Sequence, residues 1–249
     1  MTGKTAIPIV QNMKKQYLFE NIVLNIPHSR SDFPEDYNLK WDNCTLLREA
    51  IARWTDFYTD KLFDPTEHKR DKVSKVIYPY SRFFCDVERL IGDDLESKGQ
   101  GIIYSRTDNG AHRLLTEEEK REIFATYTAH IKALQDKLTN GSLLIDCHSF
   151  PSDLAPDVDI CIGYNEDWSK PDDETLRLIW EHFEDNGFKV TFNRPYSNSL
   201  TPPSIFSYKS IMIEVKKSVY MHENDLSERT DFYKVRHRLV GLYEKLLIK

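Results

Sequence analysis

The sequence predicts an α/β fold, with one domain whose mixed, mostly parallel sheet is flanked by helices on both faces. Three observations support this fold class. Short aliphatic runs alternate along the 249 residues with longer amphipathic segments, 40% of the residues are apolar, and neither an internal repeat nor a change in composition marks a domain boundary. Strands that are separated by helices need crossover connections, which favour parallel pairing within a covered sheet. We therefore assign residues 1–249 to a single domain.

Five short segments have the aliphatic content and the length of strands. They are residues 22–26, 143–147, 160–162, 189–192 and 211–215. Three longer segments have helical spacing of their apolar residues. The first begins with a capping-box pair, Thr116 and Glu119, and the others cover residues 171–187 and 232–247. The segment 99–110 has the weakest pattern and is predicted to be a flap.

Charge and cysteine content exclude several classes of protein. The chain has 34 Lys and Arg against 40 Asp and Glu, a net charge of −6, whereas a broad nucleic-acid surface needs an excess of positive charge. The four cysteines are widely spaced without a CxxC pair, which indicates reduced thiols. No apolar run, in residues 1–12 or elsewhere, approaches membrane-spanning length. We expect a cytoplasmic protein without nucleic-acid or membrane partners, and the sequence does not predict its oligomeric state.

Two histidines and a glutamate stand where an open α/β sheet has its ligand crevice, at the carboxyl ends of strands. His28 follows the first predicted strand and a proline, and His148 follows the second. Glu214 lies inside the last strand, on the face opposite to its aliphatic residues. Imidazoles and a carboxylate suit a metal ion with a general base beside it. Alternatively, the histidines cap strands, and an edge position leaves Glu214 in water without the cost of burying an unpaired charge.

The segment SRFFCDVER, residues 81–89, carries a second candidate group. In an extended conformation Arg82 and Asp86 share a face, and an aspartate that orients an arginine makes a rigid fork for a substrate carboxylate. The alternative is a surface ion pair of little energetic consequence, which is the commoner outcome. Among the other histidines, His182 is predicted to face solvent, and His130 either reaches the site or packs beside it.

Several ordered motifs resemble those of the N-formylglutamate amidohydrolase family. The resemblance covers about residues 22–220, most of the chain. Its motifs are PHS at 27–29, TDFYTDKLF at 55–63, SRFFCDVER at 81–89, DCHSF at 146–150, DICIG at 159–163, NRPYSNSLTP at 193–202 and IEVKKSVYM at 213–221. Each motif is short, and it is their number and order that make the match specific.

The resemblance implies a zinc-dependent hydrolase of the phosphorylase/hydrolase type with a carboxypeptidase-like α/β fold. The family's reaction releases formate from N-formyl-L-glutamate and yields glutamate, a late step in histidine breakdown. By analogy, His28 and His148 would bind zinc, or another divalent metal that suits such ligands, and Glu214 would be the catalytic base. The expected substrate-binding residues are Arg82 and Arg89, with Asp86 to orient an arginine, and Asn193, Arg194 and Tyr196.

The third metal ligand departs from the carboxypeptidase pattern. That pattern places a glutamate three residues after the first histidine, where this chain has Ser31. Asp56, in the second motif, is the substitute that we predict. In one continuous helix, however, Asp56 would lie with Glu49 and Asp60 on the polar face as a solvated side chain.

Two further departures leave the substrate open. The first motif continues as PHSRS instead of PHSGR, and Glu88 replaces the asparagine of a DxNR pattern. If that asparagine helps to bind the substrate, an acid in its place disfavours a dicarboxylate. The alternatives to N-formyl-L-glutamate are another N-acyl amino acid or small amide, or a homologue that binds carboxylates without hydrolysis. The zinc chemistry depends less on these positions than the choice of substrate does.

Overall fold

Six strands form one sheet in the computed structural model, which describes residues 19–35, 37 and 40–248. The strands are β1 (Asn21–Ile26), β2 (Val73–Ile77), β3 (Ser142–Phe150), β4 (Ile160–Gly163), β5 (Val190–Phe192) and β6 (Tyr208–Lys216). Their order across the sheet is β2–β1–β3–β6–β4–β5. The pairs β1–β2, β1–β3, β3–β6 and β4–β5 are parallel, and β4–β6 is antiparallel. The predicted mixed, mostly parallel sheet is confirmed.

Strand β2 is absent from the prediction because its sequence carries little pattern. It reads VSKVI and lies at the edge of the sheet, where Val73 and Val76 are its buried residues. Lys75, in its middle, forms an ion pair with Asp64. Edge strands tolerate such charges because one side of the strand has no partner to pair with.

Helices flank the sheet on both faces, as predicted. They are α1 (Cys44–Trp54), α2 (Thr59–Leu62), α3 (Glu117–Gln135), α4 (Asp173–Asp185), α5 (Lys217–Tyr220), α6 (Phe232–Val240) and α7 (Leu242–Leu246). The expected capping box opens α3: Glu119 N donates to Thr116 Oγ1 at 3.3 Å, and Thr116 N donates to Glu119 Oε2 at 2.8 Å. The predicted C-terminal helix is divided at Gly241 into α6 and α7.

Alternation along the strands sends side chains to two separate cores. Ile22 and Ile213 belong to the larger core, which packs against α2, α4, α6 and α7. Val23 and Leu144 face the other way and pack against Leu134 of α3. On β3 and β6, every second side chain points into the larger core, and the side chains between them lie on the α3 face of the sheet. Near the carboxyl ends of these strands that face is polar.

The prediction that His182 faces solvent is wrong. His182 is buried because α4 packs against the C-terminal helices, and its Nε2 donates to the Arg238 carbonyl at 2.8 Å. The segment 99–110, which was predicted to be a flap, has both exposed and buried residues. Its Tyr104 is buried and accepts a hydrogen bond at 2.7 Å from the Nε of the buried Arg113.

Within the described residues, no helix has both the length and the apolar character needed to cross a membrane. The N-terminal residues 1–12, which hold no long apolar run, lie outside the described part of the chain.

Candidate active site

A cavity of about 520 Å³ opens at the carboxyl ends of β1, β3 and β6, on the α3 face of the sheet. Most of the predicted site residues line it: His28, Asp56, Arg82, Arg89, His148, Tyr196 and Glu214. Asp86 lies behind this wall and is fully buried. The prediction that polar residues at strand ends converge on one site is thus supported by their positions.

His28 follows β1 and is buried beside carboxylates. Its Nε2 lies 2.8 Å from Oδ1 of Asp86, which fixes the orientation of the ring. Its Nδ1 lies 3.8 Å from Asp56 Oδ2 and 3.7 Å from Glu88 Oε2, and it has no hydrogen-bond partner among the described residues. Burial, together with the charge of Arg82, lowers the pKa of His28. The neutral imidazole is thereby favoured, and this is the form that binds a metal.

His148 lies within β3 and not after it, because β3 pairs with β6 as far as Phe150. Its Nδ1 is 3.1 Å from Asp56 Oδ2, its Nε2 is 3.0 Å from Glu88 Oε1, and its ring centroid is 5.1 Å from that of His28. Burial acts to lower the pKa of His148, but the carboxylates of Glu88 and Asp56 outweigh it and raise the pKa well above its usual value. The same carboxylates would also attract a metal cation, which can replace the proton on His148.

Asp56 lies in a break between two helices, so the alternative of a solvated Asp56 on one continuous helix is excluded. α1 ends at Trp54, the next residue is extended with a ψ of 132°, and α2 begins only at Thr59. The amide of Asp56 donates to the carbonyl of His28 at 2.8 Å, and its Oδ1 accepts from the Ser149 hydroxyl at 2.9 Å. The side chain therefore faces the cavity, where Asp56 is only 3% exposed.

Glu214 stands on a central strand, since β6 lies between β3 and β4. It is opposite His148 in the parallel register with β3, and it is 6% exposed. Its Oε2 is buried and forms no hydrogen bond with the described residues. Burial raises the pKa of Glu214 to about 8, although the charge of His148 acts against the rise. An edge position in water is therefore excluded, and the raised pKa makes Glu214 a candidate functional residue.

The segment 81–89 forms turns, not an extended strand, and these turns wrap around Asp86. Asp86 Oδ2 lies 2.7 Å from Arg82 Nη2 and 3.5 Å from Arg89 Nε. Burial opposes ionisation of Asp86, but Arg82 and His28 hold its pKa well below the usual range. With the Arg82 side chain only 14% exposed, the surface ion pair is excluded. Because two guanidinium groups share one carboxylate, the pair retains positive charge at the cavity wall.

Glu88 is a site residue whose position the sequence reasoning missed. It was noted as a departure from the DxNR pattern, yet its carboxylate contacts His28 and His148. The turn that encloses Asp86 brings it there, since the amide of Glu88 donates to Asp86 Oδ1 at 3.3 Å. The sequence signal for Glu88 as a site residue is its position in the same short motif as Arg89.

The loop after β5 sends Tyr196 into the cavity wall and turns two other predicted residues away. Asn193 Oδ1 accepts from the amide of Tyr164 at 3.0 Å, and Arg194 pairs with Asp157 at 2.6 Å on the surface. Neither Asn193 nor Arg194 lines the cavity, so their prediction as pocket residues is wrong. Burial and the charge of Glu214 raise the pKa of Tyr196 to about 12, which leaves a neutral hydroxyl at the site.

A buried polar network supports the cavity from behind. Asn25 Nδ2 donates to Asp146 Oδ1 at 2.8 Å, and His130 Nε2 donates to Asn25 Oδ1 at 2.8 Å. The other oxygen of Asp146 accepts from the amide of Leu200, which lines the cavity. His130 therefore packs beside the site and does not reach it. Burial lowers the pKa of His130 to about 4 and raises that of Asp146 to about 7.

Two sets of side chains offer ligand atoms at metal-binding spacing. His28, Asp56 and His148 each present one atom within 4.8 Å of the others, and so do Glu88, Asp146 and His148. Imidazole and carboxylate donors with a buried, unpartnered Nδ1 fit a divalent cation such as zinc. The first set fits zinc better, because it offers two imidazoles instead of one and includes the unpartnered Nδ1 of His28.

Histidines and carboxylates gathered beside a buried glutamate, at the carboxyl ends of the strands of an α/β sheet, are the kind of side chains that metal-dependent hydrolytic sites use. The whole sequence defines the group further. The model of the N-formylglutamate amidohydrolase family matches residues 20–221, and the chain belongs to this family. The matched range includes every residue that lines the cavity.

Two solved structures have a similar fold. The crystal structure of N-formylglutamate amidohydrolase from Ralstonia eutropha JMP134 is 18% identical, covers 91% of this chain and 92% of its own, and has a TM-score of 0.70. A gene product of Agrobacterium tumefaciens is 13% identical, covers 93% of this chain and 92% of its own, and has a TM-score of 0.63. No curated protein matches the sequence. At these identities the structural likeness supports the fold, and the family model carries the assignment.

Proposed function

We propose that this protein is a metal-dependent amidohydrolase that cleaves N-formyl-L-glutamate to formate and glutamate. The observation that carries the proposal is the state of Glu214, a buried carboxyl group with an unused oxygen directly across the β3–β6 pair from His148. Membership of the family supports the class of reaction. The cavity geometry supports the roles of the individual residues.

The metal would be held by His28, Asp56 and His148. Asp86 keeps the ring of His28 in place through Nε2, as carboxylates behind ligating histidines commonly do. When bound, a divalent cation polarises the formyl carbonyl and acidifies a water molecule. The burial of all three side chains excludes bulk water from the centre and strengthens electrostatic interactions there.

Glu214 acts as the general base in this proposal. It accepts a proton from the attacking water while the oxygen adds to the formyl carbon, and it then delivers that proton to the leaving nitrogen as the C–N bond breaks. A pKa of about 8 without a bound cation favours the neutral acid. A positive charge nearby lowers the pKa and favours the ionised base.

Arg82 and Arg89 bind a carboxylate of the substrate. They share Asp86 between them, so positive charge remains for an incoming anion. Both line the cavity beside Tyr196, whose neutral hydroxyl can donate or accept a hydrogen bond. The fixed position of the Arg82 guanidinium on Asp86 reduces the entropy that substrate binding would otherwise cost.

A second candidate substrate is another N-acyl amino acid or small amide. The observation that favours it is Glu88, whose carboxylate faces the same cavity and disfavours a second negative charge on the substrate. The reaction and the roles of Glu214 and the metal ligands would be unchanged.

Formate release from N-formyl-L-glutamate tests the proposal. Zinc-loaded protein is compared with protein that has been stripped by a chelator and then reloaded, and N-formyl-L-aspartate controls for the length of the side chain. We expect release that is lost on chelation, restored by zinc and faster for the glutamyl substrate. Equal inactivity of loaded and stripped protein towards both substrates would contradict the named activity, and activity that persists after chelation would contradict metal dependence.

A further inference from the structure

Lys217 is a buried lysine in the wall of the cavity. It is the first residue of α5 and follows β6 directly, three residues after Glu214. Lys217 is 2% exposed and lines the cavity. A lysine is rarely buried to this extent unless its charge has a partner. The sequence reasoning did not select it, because it stands beside a second lysine in a motif with no distinguishing spacing.

The partners that the structure gives Lys217 do not balance its charge. Its Nζ donates one hydrogen bond, to the carbonyl of Arg53 in the last turn of α1. Within residues 19–35, 37 and 40–248, no carboxylate forms an ion pair with it. Burial lowers the pKa of Lys217 to about 8, and the charges of Asp56, Glu223 and Glu214 limit the fall. An ammonium group has three donors, and the Arg53 carbonyl accepts from one of them.

Unlike Lys217, the neighbouring cationic side chains form ion pairs with carboxylates. Arg82 and Arg89 share the carboxylate of Asp86. Lys216 pairs with Asp159 at 2.7 Å and does not line the cavity. The cavity therefore has two cationic positions on separate elements, the arginine pair on the turns around Asp86 and Lys217 at the start of α5.

We propose that Lys217 binds one of the two carboxylates of the substrate, while Arg82 and Arg89 bind the other. The inference rests on the proposed function, because N-formyl-L-glutamate is a dicarboxylate. A charge-assisted hydrogen bond from an enclosed ammonium group is strong, and its loss leaves a buried anion unpaired. This second cationic position offsets the negative charge that Glu88 brings to the same cavity.

The test compares the acid with its two amides. N-formyl-L-glutamate, N-formyl-L-glutamine and N-formyl-L-isoglutamine differ only in which carboxylate is present. In the wild type, kcat/KM falls when the carboxylate bound by Lys217 becomes an amide. In Lys217→Met, kcat/KM for the diacid falls about 10- to 100-fold. The value for the amide that lacks the carboxylate bound by Lys217 barely changes, so the preference for the diacid over this amide disappears.

Two variants serve as controls. Lys216→Met removes the adjacent lysine, which pairs with Asp159 outside the cavity, and should keep the wild-type preference. Lys217→Arg keeps the positive charge and should keep most of the preference. If Lys217 only connects α5 to α1 through its hydrogen bond to Arg53, a different pattern is expected. Lys217→Met would then lower kcat/KM for all three substrates by the same factor. That uniform loss would overturn the proposal.

Binding of glutarate separates this proposal from the proposed function. Glutarate has two carboxylates and no amide bond, so its binding does not require turnover. We expect calorimetry to show about 10- to 100-fold weaker binding to Lys217→Gln than to the wild type or Lys217→Arg. Inactivity of the wild type with N-formyl-L-glutamate would refute the named activity, whereas Lys217-dependent glutarate binding would still support the carboxylate site. Equal glutarate binding by the wild type and Lys217→Gln would overturn the proposal that Lys217 binds a carboxylate.

Discussion

Glu214 shows at the scale of one residue how burial changes the acidity of a carboxyl group. Its neighbours on β3 and β4 remove it from solvent, yet no hydrogen bond from the described residues reaches Oε2. An ionised carboxylate in such a position is costly, so it is held neutral or balanced by a nearby cation. Under the proposed function, a cation bound in the cavity would favour the ionised form of Glu214.

Replacement of Glu214 by glutamine tests its role as the base. Glu214→Gln preserves the shape of the side chain and removes its ability to take up a proton, so we expect kcat to fall on the order of 10²-fold or more. Metal analysis and thermal melting serve as controls that the variant still folds and binds zinc. Full activity in a folded, zinc-loaded variant would show that another group accepts the proton.

At the scale of elements, the cavity depends on interruptions between regular segments. The break after α1 exposes Asp56 to the cavity, the turns around Asp86 bring Glu88 to the histidines, and the loop after β5 supplies Tyr196. The loop approaches β4 closely because Gly163 has no side chain. A Cβ there would lie 2.6 Å from the Asn198 carbonyl oxygen.

Replacement of Gly163 by alanine is expected to displace the loop after β5. The new methyl group would also lie 2.5 Å from Cε of Met212, which can move, whereas the Asn198 carbonyl is backbone and must shift. We expect Gly163→Ala to raise KM several-fold and to destabilise the protein by about 1–3 kcal/mol, the usual cost of overpacking. Steady-state kinetics and urea unfolding measure the two effects. Gly241→Ala, between α6 and α7, is the control and should leave KM unchanged.

Regular elements were more predictable from the sequence than the interruptions were. Periodicity identifies a buried strand, so a polar residue that follows such a strand or interrupts it stands out, which is why the sequence indicates His28, His148 and Glu214. The break before Asp56 depends on the backbone of a single residue, and the position of Glu88 depends on a turn that closes around a buried aspartate. Such features arise from tertiary packing and leave no period in the sequence.

At the scale of the whole molecule, the site is assembled from segments that are far apart along the chain. Its central side chains are His28, Asp56, Glu88, His148 and Glu214. They meet only when β1, β3 and β6 have paired, so the cavity and the sheet form together. The network of Asn25, Asp146 and His130 adds a polar connection between the sheet and α3 that is sensitive to acid.

His130 should make the free energy of unfolding depend on pH. Its pKa is lowered from 6.5 to about 4 in the folded protein, mainly by burial, so between these values the unfolded chain binds more protons. Its contribution is complete above about pH 6.5 and is lost as the pH falls towards 4. Urea unfolding at pH 7.5 and 5 should show that His130→Gln, which keeps a donor for Asn25, loses about 2 kcal/mol less than the wild type. Parallel losses in both proteins would contradict this role.

Asp86 gives one carboxylate two duties, since it orients His28 and also holds Arg82 and Arg89. If the proposed roles of these residues hold, a replacement of Asp86 would in evolutionary terms alter metal affinity and substrate preference at once. A descendant with a new substrate would have to acquire its preference elsewhere in the wall, at positions such as Tyr196 or Lys217. A redesign of this enzyme should follow the same route and leave the aspartate in place.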